Sequence, residues 1–284
     1  MRLTVLISAL MAFAMTWAQH EKTVDTAQFV AVYDYECQTQ DENGTPVTDK
    51  MKMMVQIRQR VTKSMPFSHH KSMEDRSMED LAQEYQESML HMPTVWTGFP
   101  LGKTTVREWI FPHEFEGSEP TPEISWTLTD DTVTVCGYLC QQAKTTFRGV
   151  EWLVCYTEEI PSLAGPWRLR GLPGLIVQAK SEAHTFSLTE LRQERLPITA
   201  PDKNPDVQRM AYAKLLKYRN DVYGNRQYAK NPFYYVSDIN GGNLSLGGSI
   251  RHMYVFEQQG QQLVFADGHP LLTKAHVFQP LEIE

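Results

Sequence analysis

Between Cys140 and Ile176 two proline-glycine turns, Gly165-Pro166 and Leu172-Pro173-Gly174-Leu175, interrupt sequence otherwise rich in β-forming residues. A chain passes such points by turning, so they rule out one continuous helix and fix where flanking strands end. In the second turn Pro173 presets φ, and Gly174 stands where a type II turn needs φ > 0. Nothing in the stretch reads as an active site; it reads as a shape specified by turn chemistry.

The surrounding sequence supplies strands for these turns to connect. From Ala27 to Cys37, Phe29, Ala31, Tyr33 and Tyr35 alternate with Val30, Val32, Asp34 and Glu36, a strand apolar on both faces at first and half-exposed later. Asp41-Glu42-Asn43-Gly44 is a turn, and Met51 to Val61 returns as the second arm of a hairpin. Further strands are expected over Thr104–Phe111, Glu123–Leu128, Thr132–Tyr138, Glu151–Thr157, Leu175–Glu182 and Thr185–Gln193. Hairpin turns are expected at Asp130-Asp131 and at Glu182-Ala183-His184, while Thr94–Leu101 reads as a loop. The period changes twice. Ser72 to Met92 repeats apolar residues every three or four positions behind a Ser77 cap, which predicts an amphipathic helix. A second helix is expected after Asn204-Pro205-Asp206, with Val207, Met210, Ala211, Leu215, Tyr218 and Val222 as its stripe until Gly224. Short strands, Arg251–Glu257 and Gln262–Ala266, close the chain. Successive strands without intervening helices predict an α+β fold: one mainly antiparallel, curved, open barrel-like sheet with two packing α-helices.

The residues Phe147-x-Gly149, Tyr156-Thr157-x-x-Ile160-Pro161, Gly165-Pro166 and the hexapeptide Gly171-Leu172-Pro173-Gly174-Leu175-Ile176 resemble the GLPGLI family of bacterial cell-envelope proteins. Two positions depart from that pattern: Val150 stands in place of a basic residue, and Cys155 in place of Trp. The resemblance implies an envelope protein and names no reaction. A more distant similarity, to the non-catalytic N-terminal domain of some bacterial peptide:N-glycosidases, implies a scaffold or binding role. A sheet wrapped around a helix is also similar to the periplasmic lipoprotein carriers.

Arg2, an apolar run to about Met15, and small residues at Thr16 and Ala18 predict a signal peptide over residues 1–18, cleaved after Ala18. Its apolar run is shorter than the roughly 20 residues a spanning helix needs, and no later segment is apolar enough to insert. Residues 19–284 are then expected to form one exported domain, in the periplasm or on the outer-membrane surface. Without Arg2, 26 basic residues face 34 acidic ones, a charge of −8 with no basic cluster, which excludes nucleic acid as a partner.

Cys37, Cys136, Cys140 and Cys155 form an even set in an exported chain and are candidate disulfide partners. Pairing Cys37 with one of the later three closes about 100 residues and stabilises by on the order of 4 kcal/mol in the loop model. Their spacing is poor for zinc, and the glutamates beside Cys155 disfavour a thiolate nucleophile. His113-Glu114 lacks the second His of a metalloprotease helix. The glycine-rich Gly241–Gly248 lacks the strand, helix and Lys-Ser/Thr end of a phosphate loop. The sequons at Asn43 and Asn243 carry little meaning in a bacterial chain.

Two compositional features bear on ligands. Methionine and histidine gather between residues 51 and 92, and His69, His70 and Met73 have the donor chemistry of a soft-metal, copper-binding site. Against this, Met53, Met78, Met89 and Met92 are spaced as core residues. Aromatic residues gather in the middle third, where Trp126, Trp152 and Trp167 are candidates for an apolar or carbohydrate-stacking groove, with Trp167, between two turns, the one expected to be exposed. The expectation is thus a non-catalytic binding or accessory protein without a cofactor, serving an envelope protein partner or a small apolar or glycan ligand. A copper-binding periplasmic protein and a lipid or glycan carrier are its rivals.

Overall fold

The computed structural model describes residues 22–41, 43–70, 92–110, 113–224, 244–245, 253–254, 256–259, 262–265 and 276–283, with backbone alone at residue 70 and between 244 and 265. The strands open with β1 (Thr23–Thr26), β2 (Phe29–Gln40), β3 (Pro46–Ile57), β4 (Thr62–Pro66) and β5 (Thr94–Thr97). The central set is β6 (Lys103–Ile110), β7 (His113–Pro120), β8 (Thr127–Val135), β9 (Tyr138–Phe147) and β10 (Val150–Thr157). Then come β11 (Leu175–Lys180), β12 (His184–Arg192), β13 (Pro197–Thr199), β14 (Gln208–Ala211) and the helix α1 (Tyr212–Gly224). Two short pairs follow, β15 (Leu244–Ser245) with β16 (Met253–Tyr254), and β17 (Phe256–Gln259) with β18 (Gln262–Phe265).

Twelve strands form one sheet in the order β14-β7-β6-β5-β4-β3-β2-β12-β11-β10-β9-β8, antiparallel except where β14 runs parallel to β7. Its backbone is the β2–β3 hairpin, in register from Phe29 opposite Ile57 to Gln40 opposite Pro46, with the Asp41 carboxylate accepting from the N–H groups of Asn43 and Thr45 at the turn. Alternation along β2 behaves as its sequence demands: Tyr33, Tyr35, Cys37 and Thr39 are buried, Asp34 and Glu36 half-exposed. β1 pairs separately with β13.

The sheet curls without closing. Eight strand steps separate β7 from β10, about 38 Å in a flat sheet. Yet Arg148, in the turn between β9 and β10, reaches Glu119 of β7 at 2.5 Å. The concave side so formed is sealed by α1, which lies on β7 at Gly117: a Cβ there would stand 3.0 Å from Leu215 and from the Tyr212 Cα. Trp152, Trp167, Phe186, Tyr35 and Phe147 fill the centre of the core.

Several expectations are corrected. Among the described residues there is one α-helix; the helix expected over Ser72–Met92 lies outside them. α1 begins at Tyr212, because the preceding residues are drawn into the sheet edge as β14. Its buried face is Tyr212, Leu215, Leu216 and Arg219, so the helix hides an arginine while Tyr218 remains 41% exposed. Asp130-Asp131 is no turn: β8 runs through it with a register irregularity between Leu128 and Thr132. The chain reverses at Cys136-Gly137, both at positive φ, as two-residue hairpins favour. Thr94–Thr97 is a strand rather than a loop, paired on both sides by β4 and β6. Gly174 does not have positive φ. It is glycine because a Cβ there would collide with the Thr157 carbonyl, a close approach of backbones.

Candidate functional site

The loop from Pro161 to Gly174 does not decorate the surface. It tucks into the concave side, where Trp167, at φ 54°, donates its backbone N–H to Ser64 Oγ at 3.2 Å and to Met53 Sδ at 3.3 Å. The remaining motif residues anchor the loop. The N–H of Gly171 donates to Leu163, that of Leu175 to Ile160, and that of Ile176 to Ala164, while Pro166 accepts from Leu169. Tyr33 Oη donates to the Ile176 carbonyl at 2.8 Å, and Tyr156 Oη to Gln141 at 2.7 Å. Pro161 and Pro173 face solvent; Gly165, Leu172 and Leu175 are buried. A Cβ at Gly165 would stand 2.6 Å from the Leu169 carbonyl oxygen, which is how the loop stays compact.

The loop therefore delivers two adjacent side chains inward. Trp167 and Trp152 are each 2% exposed, ring centroids 5.9 Å apart, with Phe147, His184 and Phe186 around them. This corrects the expected open groove: two of its three tryptophans are core, because the turns flanking Trp167 fold the loop over β3 and β4. Trp126 is half-buried and donates to the Arg170 carbonyl at 2.9 Å. The indole N–H groups of Trp152 and Trp167 have no acceptor.

Arg168 follows Trp167 into the interior, 3% exposed. Its Nη1 donates to both carboxylate oxygens of Glu282 at 3.0 and 2.9 Å, and its Nη2 to Glu119. Tyr212 Oη also donates to Glu282, and the Tyr212 ring lies 4.6 Å under the Arg168 guanidinium. Arg219, from the buried face of α1, faces Glu108 of β6 at 3.7 Å and donates to the Glu282 carbonyl at 3.4 Å. Burial works against the charge on Arg168, but Glu282, Tyr212 and Glu119 outweigh it, and the guanidinium titrates above the usual arginine value. Burial pushes Glu108 up to about 7 against the pull of Arg219, and neither of its oxygens has a hydrogen-bond donor. Burial likewise raises the Tyr212 phenol, which stays a donor.

Glu282 comes from residues 276–283, which cross the concave side from one end to the other. Val277 exchanges bonds with Gln40 and Thr39, and His276 Nδ1 stands 2.7 Å from Asp49. The Pro280 carbonyl lies 3.2 Å from His184 Nε2, whose ring also meets Tyr35 Oη at 2.9 Å. Burial lowers His184 to about 4, so it sits there neutral. At the far end Ile283 donates its N–H to Arg148, and Asn220 donates to the carbonyls of Glu282 and Ile283.

The other candidates do not join this site. All four cysteines are free, with no two at disulfide distance. Cys37 lies on β2, three strand steps from Cys155 on β10, about 14 Å along the sheet. Burial raises the thiols, Cys37 and Cys140 to about 11, which opposes thiolate chemistry. Met51, Met53, Met54 and Met65 are core residues, His69 is exposed on a short 3-10 turn, and Met73 lies outside the described residues. Among the described residues no group of three His, Cys, Asp or Glu is placed to hold a metal ion.

Sequence reasoning missed Arg168, Tyr212, Arg219, Glu108, Glu119 and Glu282. Arg168 carried a faint signal, a charge set between Trp167 and Leu169 in an apolar loop. The rest carried none, for their partners are chosen by topology.

No family model matches the chain, and no curated protein matches it. Among solved structures it is similar to PNGF-II in two crystal forms, at 12% identity each and TM-scores of 0.40 and 0.44, over 67% and 68% of this chain. The chain spans about a third of the length of PNGF-II, 32% and 33%. It is also similar to a LolA superfamily protein from Nitrosomonas europaea, at 7% identity and a TM-score of 0.26, covering 61% of this chain and 88% of that one.

Proposed function

We propose that this chain is an exported, non-catalytic binding or accessory protein of the bacterial cell envelope, of the GLPGLI type, and that the concave side of its curled sheet is where it holds what it binds. One observation carries the reading: residues 276–283, remote in sequence from the loop that receives them, lie across that side and are held there by polar contacts to Arg168, Tyr212, Asn220 and His184. A surface that accepts an unrelated stretch of chain this way has the donors and the depth of a binding site. Its charged groups are set against one another, which suits retention better than turnover.

A second reading keeps the same site and gives it an apolar or glycan ligand. The half-buried Trp126 favours it, as the one of the three candidate tryptophans that a ligand could reach; Trp152 and Trp167 are sealed in the core.

Native mass spectrometry of the protein purified from its own envelope tests both readings. The expected spectrum shows a chain beginning at Gln19 with a non-covalent adduct, either a second polypeptide or a mass of lipid or glycan size. A bare chain from an undisrupted envelope fraction contradicts the binding function, and a chain that retains residues 1–18 contradicts export by cleavage.

A further inference from the structure

Among the described residues five arginines are buried or half-buried: Arg107, Arg148, Arg168, Arg170 and Arg219. Four of them stand in ion pairs with carboxylates. Arg170 does not. Its guanidinium makes no ion pair, hydrogen bond or ring contact, and burial alone acts on it, lowering it from the usual arginine value. Acids are not scarce, for 34 acidic residues outnumber 27 basic ones in the chain. Drawing a guanidinium partly out of water weakens its hydration, and a counter-charge ordinarily offsets that loss. At Arg170 the loss stands uncompensated, on a side chain that water and solutes still reach.

Arg170 is also held in place. On one side Leu169 donates its N–H to the Pro166 carbonyl, and on the other Gly171, at φ 99°, donates to the Leu163 carbonyl. Between them the Arg170 carbonyl accepts from the Trp126 indole at 2.9 Å, so the cation and the half-buried indole rise from one junction. Apolar surface continues from it. Leu128, two positions beyond Trp126, stands opposite the buried Ala143 in the β8–β9 register and shares its face of the sheet, yet Leu128 and Leu163 are more than half exposed. An unpaired guanidinium beside an indole and two open leucines offers two things together: a planar fork that matches a carboxylate, and a C–H surface for the carbon skeleton that carries it.

We propose that Arg170 and Trp126 form a binding site for a small carboxylate-bearing ligand, its carboxylate taken by the Arg170 fork and its carbon skeleton laid on Trp126, Leu128 and Leu163. The proposal rests on the second reading above, a small ligand reached through Trp126, and adds the charge by which that ligand is recognised. An acidic sugar and a fatty acid share this chemistry, since each sets a carboxylate beside a C–H surface.

Isothermal titration of the whole chain separates the sources, with glucuronate run against glucose and octanoate against 1-octanol. At least one acid is expected to bind, and Arg170→Gln to weaken it about 10-fold or more, as the loss of a charge-assisted pair requires. The neutral counterpart is expected to bind parent and variant alike. Glucuronate as the acid that binds assigns the site to glycans, and octanoate assigns it to acyl chains. Arg170→Gln strands no partner, so it is expected to unfold in urea at the parent's midpoint, and the acid to raise that midpoint in the parent alone. Should Arg170→Gln not fold, Arg170→Lys, which keeps the charge and loses the fork, takes its place, with a smaller loss of binding expected. Failure of both acids, equal binding by parent and folded variant, or a neutral counterpart as tight as its acid overturns the proposal. So does inorganic phosphate binding as tightly as the acid, which would make this a general anion site. Failure of both acids with a neutral lipid or glycan retained on the envelope-purified protein removes the carboxylate alone; failure of both acids with a bare chain removes the small-ligand reading with it.

Discussion

Arg107 and Arg168 are both buried arginines flanked by carboxylates, and they acquired their partners by opposite routes. Arg107 on β6 sits directly opposite Glu116 on β7 in the strand register, bonds it at 2.6 Å, and adds Asp202 at 2.8 Å from the approach to β14. Those partners lie at the rim, with 17% and 14% of their side chains exposed. Arg168 is delivered by a loop to the interior and bonds Glu282, whose side chain is fully buried and which stands 114 positions away. The first cluster is a consequence of sheet register and persists as long as the sheet does. The second joins segments that no strand pairing links and that are held besides by the separate contacts of His276, Val277, Pro280 and Ile283, so it can open while the sheet stays intact.

The largest expected effect separates the two. Arg168→Ala strands Glu282 and half of Glu119 in the interior and is expected to cost about 3–5 kcal/mol in urea unfolding. Arg107→Ala leaves carboxylates that water can reach and is expected to cost about 2 kcal/mol. Equal losses would break the distinction.

The interior cluster is next expected to titrate. Glu108 has a folded pKa of about 7, above its ordinary 4.5, so the stability it contributes is full below pH 4.5 and is lost as pH rises through 7. His184, beside residues 276–283, is depressed from 6.5 to about 4, so its contribution is full above pH 6.5 and is lost as pH falls through 4. The two slopes oppose one another between pH 4.5 and 6.5, and the parent should be nearly flat there. Glu108→Gln should uncover a stability that rises with pH, and His184→Gln one that falls, each by roughly 3 kcal/mol over its window. Thermal melts at four pH values check this; slopes of the same sign in the two variants would contradict it.

The smallest effect is salt. The coupling between Arg107 and Asp202, measured by a double-mutant cycle, is expected to drop by a few tenths of a kcal/mol in 1 M NaCl, where the screening length is about 3 Å. The coupling between Arg168 and Glu282, out of reach of ions, should not change.

The same contrast explains what the sequence disclosed. Alternation placed β2 and β3, and local turn residues placed the hairpin between them, while β6, β10, β11 and β12 were legible as short runs of β-forming residues. The motif loop was legible as turns, but not the reasons for its glycines: Gly174 answers to the Thr157 carbonyl, a neighbour that only the β10–β11 pairing supplies. Trp167 was read as exposed because local sequence shows the turns around it and not the strands beneath it. β5, four residues long, was too short to show a period. β14 was absorbed into a helix because its parallel partner lies some 90 positions earlier, and an apolar stripe on that helix could not include Arg219. Charged residues buried by pairing look like surface residues until the fold brings the partner.

The central claim is that residues 276–283 are seated on the concave side through Glu282. Hydrogen exchange at the Ile283 amide, which donates to the Arg148 carbonyl at 2.8 Å, tests it most directly. Protection of at least about 100-fold over an unstructured peptide is expected in the parent chain, lost in Glu282→Ala while the β2–β3 amides stay protected. Exchange at the unstructured rate in the parent chain itself, or equal protection in the variant, would contradict the account.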